Sequence, residues 1–158
     1  MFNLKAEFYL KIIFLFSFIA LTSAFFIEYI LGHQPCNLCL IERIPYKLSI
    51  MIIMAIFLIR KNQKFLVMLL ILTFIFSFAI SFYHFGIEQG FFQESFVCGV
   101  KSSTEIVTKE DLLKQLSEKT ISCKDVTFRI FGLSLTSINI IISLLFITTL
   151  LKIFKKYE

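Results

Sequence analysis

Long runs without a charged residue constrain the fold of this chain more than any other feature. Residues 12–27, 65–83 and 130–151 carry no charge, and a helix needs roughly 20 such apolar residues to cross the core of a bilayer. The first run continues through Glu28 to Leu31. Hydrophobic residues make up 58% of the chain, against roughly 45–50% in soluble domains. The chain is therefore predicted to be an integral membrane protein.

A fourth apolar run, 48–59, is too short to cross a bilayer by itself. We therefore expect its helix to begin near Arg43, with Pro45 in the first turn, where proline is tolerated. The first run could instead be a cleaved signal peptide, but it is longer than the usual core of roughly 7–15 residues and further spans follow. The sequence thus predicts an all-α membrane protein, a four-transmembrane-helix bundle with spans at about 12–31, 43–59, 65–84 and 130–151.

Basic residues lie at the ends of the apolar runs, and this bias predicts the orientation of the chain. By the positive-inside rule, the side that holds both termini and the turn at 60–64 is cytoplasmic. The opposite side then receives two loops, 32–42 and 85–129. No long polar segment carries a basic patch interleaved with aromatic residues, so membrane lipid is an expected partner and nucleic acid is not. The charged residues of the cytoplasmic side are Lys5, Lys11, Arg60, Lys61, Lys64, Lys152, Lys155 and Lys156, opposed by Glu7 and Glu158.

The longer loop is predicted to contain a short amphipathic helix from Lys109 to Glu118, lying at the membrane surface. The residues from Thr108 to Asp111 resemble a capping box, and the leucines that follow form a narrow apolar stripe. Since the chain has no internal repeat or low-complexity linker, residues 1–158 are expected to form one domain.

All four cysteines, Cys36, Cys39, Cys98 and Cys123, fall in the two exoplasmic loops. That face of a bacterial membrane is oxidising, so disulfides are the expected state. Four cysteines allow three connectivities, and proximity favours Cys36 with Cys39 and Cys98 with Cys123. A zinc site of four thiolates is an alternative, although the second pair lacks the usual ligand spacing.

Cys36 and Cys39 form a Cys-x-x-Cys pair where the second span is about to begin. A disulfide that closes so small a loop removes little entropy from the unfolded chain, and this spacing is the one that redox proteins use. The positive end of the helix expected just after Cys39, together with Arg43, would stabilise a thiolate. The pair is therefore interpreted as redox-active. A bond between Cys98 and Cys123 could alone be a structural staple, worth roughly 3 kcal/mol.

Several of these features together resemble the DsbB family of quinone-dependent disulfide-generating proteins. The match rests on Cys36-x-Leu38-Cys39-x-x-Glu42-Arg43 after the first span, on Tyr83-His84 at the end of the third, and on the cysteine pair in the second exoplasmic loop. The resemblance covers the whole chain in span number, loop order and cysteine placement.

The resemblance implies a role for each cysteine and places the protein in the bacterial inner membrane. Cys98 would form a mixed disulfide with a periplasmic DsbA-like thiol-disulfide oxidoreductase, and the Cys98–Cys123 bond would oxidise it. Cys36 and Cys39 would then reoxidise the loop pair. Cys39 would pass the electrons to the quinone pool, with a ubiquinone or menaquinone held near Arg43 and His84.

Two other readings of the sequence predict different behaviour. A vitamin K epoxide reductase-like protein also links a Cys-x-x-Cys pair to a quinone, but there the pair belongs in the last span. A membrane anchor whose exoplasmic loop is stapled by disulfides would keep its cysteines oxidised throughout, whereas a redox enzyme cycles them. Glu28, an ionisable residue inside the first span, is a further functional candidate.

Overall fold

The structure, a computed structural model, consists almost entirely of helices over the residues it describes, which are 4–59, 62–93, 98, 123–124, 129–130 and 133–155. The all-α prediction is confirmed at this level. One small antiparallel ladder, in which Arg129 faces Ser134, precedes the last helix, so this helix begins at Leu135 rather than near residue 130 as predicted. The predicted amphipathic helix at 109–118 lies outside the described residues. The elements are α1 (Leu4–Tyr29), α2 (Asn37–Leu58), α3 (Gln63–Glu88), β1 (Arg129–Ile130), β2 (Leu133–Ser134) and α4 (Leu135–Lys155).

Three of the described helices are long and apolar enough to cross a membrane. These segments are Ala6–Tyr29, Gln63–Glu88 and Leu135–Lys155. Helix α2 is of similar length, but its first half carries Glu42, Arg43 and Lys47. These three helices identify the chain as a membrane protein. Helix α2 differs from them because it carries charged residues in its first half.

Helix α2 begins at Asn37, two turns earlier than the expected start near Arg43. The cause is a local cap, because the Cys36 sulfur accepts a hydrogen bond from the backbone N–H of Cys39 at 3.2 Å and satisfies a donor of the first turn. Cys39 thus lies inside the helix rather than before it. The expectation that Pro45 occupies the first turn was wrong, since Pro45 lies in the helix interior and is buried.

Helix α3 continues past His84 to Glu88, one turn beyond the predicted span. Gly90, two residues after the helix ends, has a φ of +79°, a left-handed conformation that favours glycine. The N–H groups of Phe91 and Phe92 return to the carbonyl of Gly86 at 2.8 and 3.1 Å. The extra turn brings Glu88 to the level of the cysteines.

The main core lies at the end of the bundle away from the cysteines. Phe74 of α3 is fully buried there, with the rings of Tyr46 and Phe146 edge-on at 6.4 and 5.0 Å. The outward faces of the helices expose large apolar side chains such as Phe18 and Met51, as expected of surfaces that meet lipid. Other fully buried members of this core are Leu10, Ile13, Ile53, Ile56, Val67, Leu70 and Leu150.

Buried hydrogen bonds join the helices along their length. The hydroxyls of Ser49 of α2 and Ser17 of α1 share a hydrogen bond at 3.0 Å, and Ser143 of α4 donates to Ser77 of α3 at 3.2 Å. Small hydroxyl-bearing residues of this kind let membrane helices approach closely and hydrogen-bond across the interface. Helix α3 consequently packs closely on both α2 and α4, while α1 rests mainly on α2.

Candidate functional site

Two disulfides lie together at the end of the bundle where α2 begins. The structure pairs Cys36 with Cys39, their Cα atoms 5.1 Å apart, and Cys98 with Cys123, their Cα atoms 5.6 Å apart. This is the pairing that proximity favoured in the sequence. Cys36, Cys98 and Cys123 are buried in one apolar cluster with Leu38 and Ile87, and Cys39 packs against it. Sulfur atoms separated by a long stretch of sequence thus share one small apolar region.

His84 lies over the Cys36–Cys39 disulfide. Its Nε2 is 3.6 Å from the Cys36 sulfur, and its Nδ1 is 3.0 Å from Oε1 of Glu42. A carboxylate only accepts hydrogen bonds, so the Nδ1–H group is the donor in that contact. The ring is 3% exposed. The histidine at the end of the third apolar run therefore contacts the sulfur of one cysteine directly.

Glu88 and Thr136 complete the polar group around this histidine. Oε1 of Glu88 is 3.9 Å from Nε2 of His84, and it accepts a hydrogen bond from the Thr136 hydroxyl at 2.6 Å. The other oxygen, Oε2, is buried and has no hydrogen-bond partner among the described atoms. The imidazole thus has a carboxylate near each of its two nitrogen atoms.

Arg43 occupies a different part of the site from His84. Its guanidinium pairs with the carboxylate of Glu28 from α1 and lies 5.4 Å from the centre of the Phe25 ring, within the range of a cation–π contact. Lys47, one turn further along α2, approaches the same ring at 5.8 Å. Glu28, which the sequence marked only as a candidate, therefore balances the charge of Arg43.

A cavity of about 280 Å³ connects these groups. Arg43 and His84 both line it, as do Cys36, Cys39 and Cys123. The remaining lining is mostly apolar and comes from α1 and α4, including Ala20, Ala24, Ile27, Ile138 and Ile142. Polar groups and a disulfide thus form part of the wall of a largely apolar chamber.

Several residues of the site were missed by the sequence analysis. Glu42, three residues after Cys39, was quoted in the motif above but given no role, and Glu88 follows His84 by one helical turn, so the spacing alone offered a signal for both. Thr136 and Asn139 gave no such signal, because both follow the second loop and reach the site only through packing of α4 on α3. The Tyr46 hydroxyl donates a hydrogen bond to Asn139, at the inner end of this site.

The residues around the Cys36–Cys39 disulfide also bear on the alternative of a zinc site. Ligand atoms of Cys36, Cys39 and His84 lie within 4.8 Å of one another, which is close enough to share an ion. Zinc binds cysteine as thiolate, however, and in this structure the two sulfurs are bonded to each other. The geometry in hand is that of a disulfide with an adjacent histidine.

Comparison with known proteins gives two matches. The family described as "Disulfide bond formation protein DsbB" matches residues 6–153 of this chain. The chain is also similar to the uncharacterized protein RP370 of Rickettsia prowazekii (strain Madrid E), with 32% identity over 130 residues. That alignment covers 81% of this chain and 76% of the Rickettsia protein.

Proposed function

The chain belongs to the DsbB family of disulfide bond formation proteins, and from this membership we propose that it is a quinone-dependent thiol oxidase of the bacterial inner membrane. Membership assigns it to disulfide redox chemistry in a membrane. The proposal adds the donor, a reduced periplasmic DsbA-like thioredoxin-fold protein, and the acceptor, a membrane quinone. In this scheme two electrons pass from the partner to Cys98–Cys123, then to Cys36–Cys39, and then to the quinone.

The observation that carries the proposal is the position of the Cys36–Cys39 disulfide, which lines the cavity and shares one apolar cluster with the second disulfide through Cys36. Cys123 belongs to that cluster and also lines the cavity, whereas Cys98 belongs to the cluster alone. Thiol–disulfide exchange requires one sulfur to reach another directly. A shared apolar region keeps the two pairs near each other and supports transfer between them.

The residues of the cavity suit a quinone ring. Its volume of about 280 Å³ lies just below the range for small-molecule pockets, roughly 300–1,000 Å³. The apolar walls from α1 and α4 would pack on the ring, and Arg43 and His84 offer polar groups for its oxygen atoms. A quinone supplies an acceptor for two electrons and two protons.

Redox energetics explain why such an acceptor is needed. Structural disulfides typically have potentials below about −300 mV, whereas DsbA lies near −120 mV, a gap of roughly 180 mV or about 8 kcal/mol for two electrons. Ordinary cysteines would not oxidise such a partner unless electrons were drawn away from them. Cys39 lies in the first turn of α2, where the positive end of the helix dipole would stabilise a thiolate, and Arg43 follows it by one turn on the same helix.

We also propose that α2 is the fourth membrane span, with both termini cytoplasmic and the cysteines on the periplasmic side. Its charged residues are confined to the half nearest the cysteines, and Arg43 has a carboxylate partner there. Ionisable groups within membranes are tolerated when they face a cavity or each other. The remaining half of α2, from Leu48 to Leu58, is uncharged.

The test is turnover of the purified protein in lipid nanodiscs, supplied with a reduced DsbA-like protein and a short-chain ubiquinone or menaquinone. We expect thiols of the partner to disappear in step with quinone reduction, one quinone for each disulfide formed. Cys36→Ala and Cys98→Ala should each abolish this reaction. Partner oxidation at an equal rate without quinone would contradict the proposal, and so would cysteines that stay oxidised throughout, as a stapled anchor requires.

A further inference from the structure

We propose that His84 is the base that takes the proton from the Cys36 thiol, and that Glu42 and Glu88 hold the ring in place and stabilise the imidazolium that results. The proposal deepens the proposed function, because it concerns the reduced state of the same Cys-x-x-Cys pair. In this proposal His84 deprotonates the Cys36 thiol in addition to lining the cavity.

The geometry favours proton transfer between these two groups. Nδ1 of His84 donates to Glu42 at 3.0 Å, which leaves the lone pair of Nε2 available, and Nε2 lies 3.6 Å from the Cys36 sulfur. Sulfur hydrogen bonds are longer than those between oxygen and nitrogen because the atom is larger. A histidine whose second nitrogen is fixed by a carboxylate is the arrangement that activates nucleophilic thiols elsewhere.

The two carboxylates recorded beside the ring support a positive charge on it. Glu42 approaches from α2, and Glu88 of α3 lies 3.9 Å from Nε2. From α4, the Thr136 hydroxyl lies 3.5 Å from Nδ1 and donates to Glu88. The backbone of Cys123 interacts with the ring as well. Arg43, a cation that lines the same cavity, is paired with Glu28.

The proton and electron balance follows from the redox state of the pair. When the reduced pair is reoxidised, the bond between Cys36 and Cys39 forms and two electrons and two protons leave the thiols. His84 takes the proton of Cys36, so that this sulfur can close the disulfide as a thiolate. Both electrons and both protons end on the quinone of the proposed function. The unpaired Oε2 of Glu88 leaves that carboxylate able to counter the charge on the ring.

The experiment measures the Cys36 thiol directly, without any quinone. In a full chain with Cys39→Ala, Cys98→Ala and Cys123→Ala, Cys36 is the one thiol that remains, since the sequence has four cysteines. Its rate of alkylation by iodoacetamide is followed across pH in nanodiscs. A thiol without a base is only a few per cent thiolate at pH 7, so adding His84→Gln should slow alkylation at pH 7 by about tenfold. The pH profile should also move toward alkaline values.

Two further variants separate this role from a general effect on folding. Glu42→Gln keeps an oxygen that accepts from the Nδ1–H group but removes the negative charge that stabilises the imidazolium, so it should slow alkylation by about threefold. Ser81→Ala removes a buried hydroxyl one turn earlier on α3 that accepts from Asn139, and it should leave the pH profile unchanged. An unchanged profile in both His84→Gln and Glu42→Gln would overturn the base role. Absence of quinone-dependent turnover in the unsubstituted protein would instead overturn the proposed function, because the alkylation assay contains no quinone.

Discussion

Neutralising Glu28 or Arg43 should show how much their ion pair at the cavity contributes to the stability of the fold. The two side chains are 22% and 12% exposed, so protein shields most of the pair from water. Two unit charges about 4 Å apart interact by roughly 4 kcal/mol at an effective dielectric constant of 20, and the cost of removing both groups from water offsets part of this. We therefore expect a coupling free energy of about 2 kcal/mol.

A double-mutant cycle measures that coupling. Arg43→Met keeps the aliphatic stem that packs near Phe25 but leaves the Glu28 carboxylate unpaired, so it should lower the free energy of unfolding by about 3 kcal/mol. Glu28→Gln should cost less, because the remaining guanidinium still contacts the Phe25 ring and can reach water. The double variant should be about 2 kcal/mol more stable than the sum of the single changes predicts.

The assay is reversible unfolding in detergent micelles with increasing dodecyl sulfate, followed by helical circular dichroism. Lys11, which pairs with Glu7 on the exposed start of α1, supplies a control, since a cycle on that pair should show less than about 0.5 kcal/mol. Strict additivity at Glu28 and Arg43, within about 0.5 kcal/mol, would refute the argument that this pair is shielded and coupled.

Three further changes test other parts of the account. If Cys98 meets the partner first, Cys123→Ala should trap a mixed disulfide on Cys98, visible on a non-reducing gel; a partner trapped on the Cys-x-x-Cys pair would reverse the proposed order. A reporter active only in the cytoplasm should work when fused after Lys61 and fail after Ser103, and activity after Ser103 would overturn the orientation. Asn139→Ala removes the acceptor of a buried tyrosine hydroxyl and the donor to a buried serine, so it should cost about 1–2 kcal/mol in the same unfolding assay; an unchanged midpoint would show that water replaces these bonds.

Arg43 should also matter for the quinone itself. Arg43→Ala is expected to raise the KM for quinone, and Arg43→Lys should restore it only in part, because a compact ammonium lacks the planar array of donors. Unchanged quinone kinetics in both variants would leave Arg43 as an anchor at the membrane interface.

The helices could be predicted from the sequence because each one depends only on the apolar composition of its own segment. A long run without charge can lie in a bilayer only as a helix or within a barrel, and the runs at 12–27 and 65–83 lie in α1 and α3, as most of the run at 130–151 lies in α4. The pairing of Cys36 with Cys39 was likewise accessible, since neighbours in sequence are neighbours in space. The start of α2 was not, because a cysteine sulfur rather than a usual capping residue satisfies its first turn.

The grouping of charged side chains was decided by tertiary structure. Helices that are apolar around most of their circumference give no sequence signal for which side faces a neighbour, so nothing in the chain paired Glu28 with Arg43. The contact between His84 and Cys36 depends on α3 continuing past its apolar run and packing against α2 at one depth and rotation. Sequence determined which segments enter the membrane, because transfer into lipid acts on each segment separately. Packing decided which polar groups meet, because a buried charge is stable only where another helix supplies its partner.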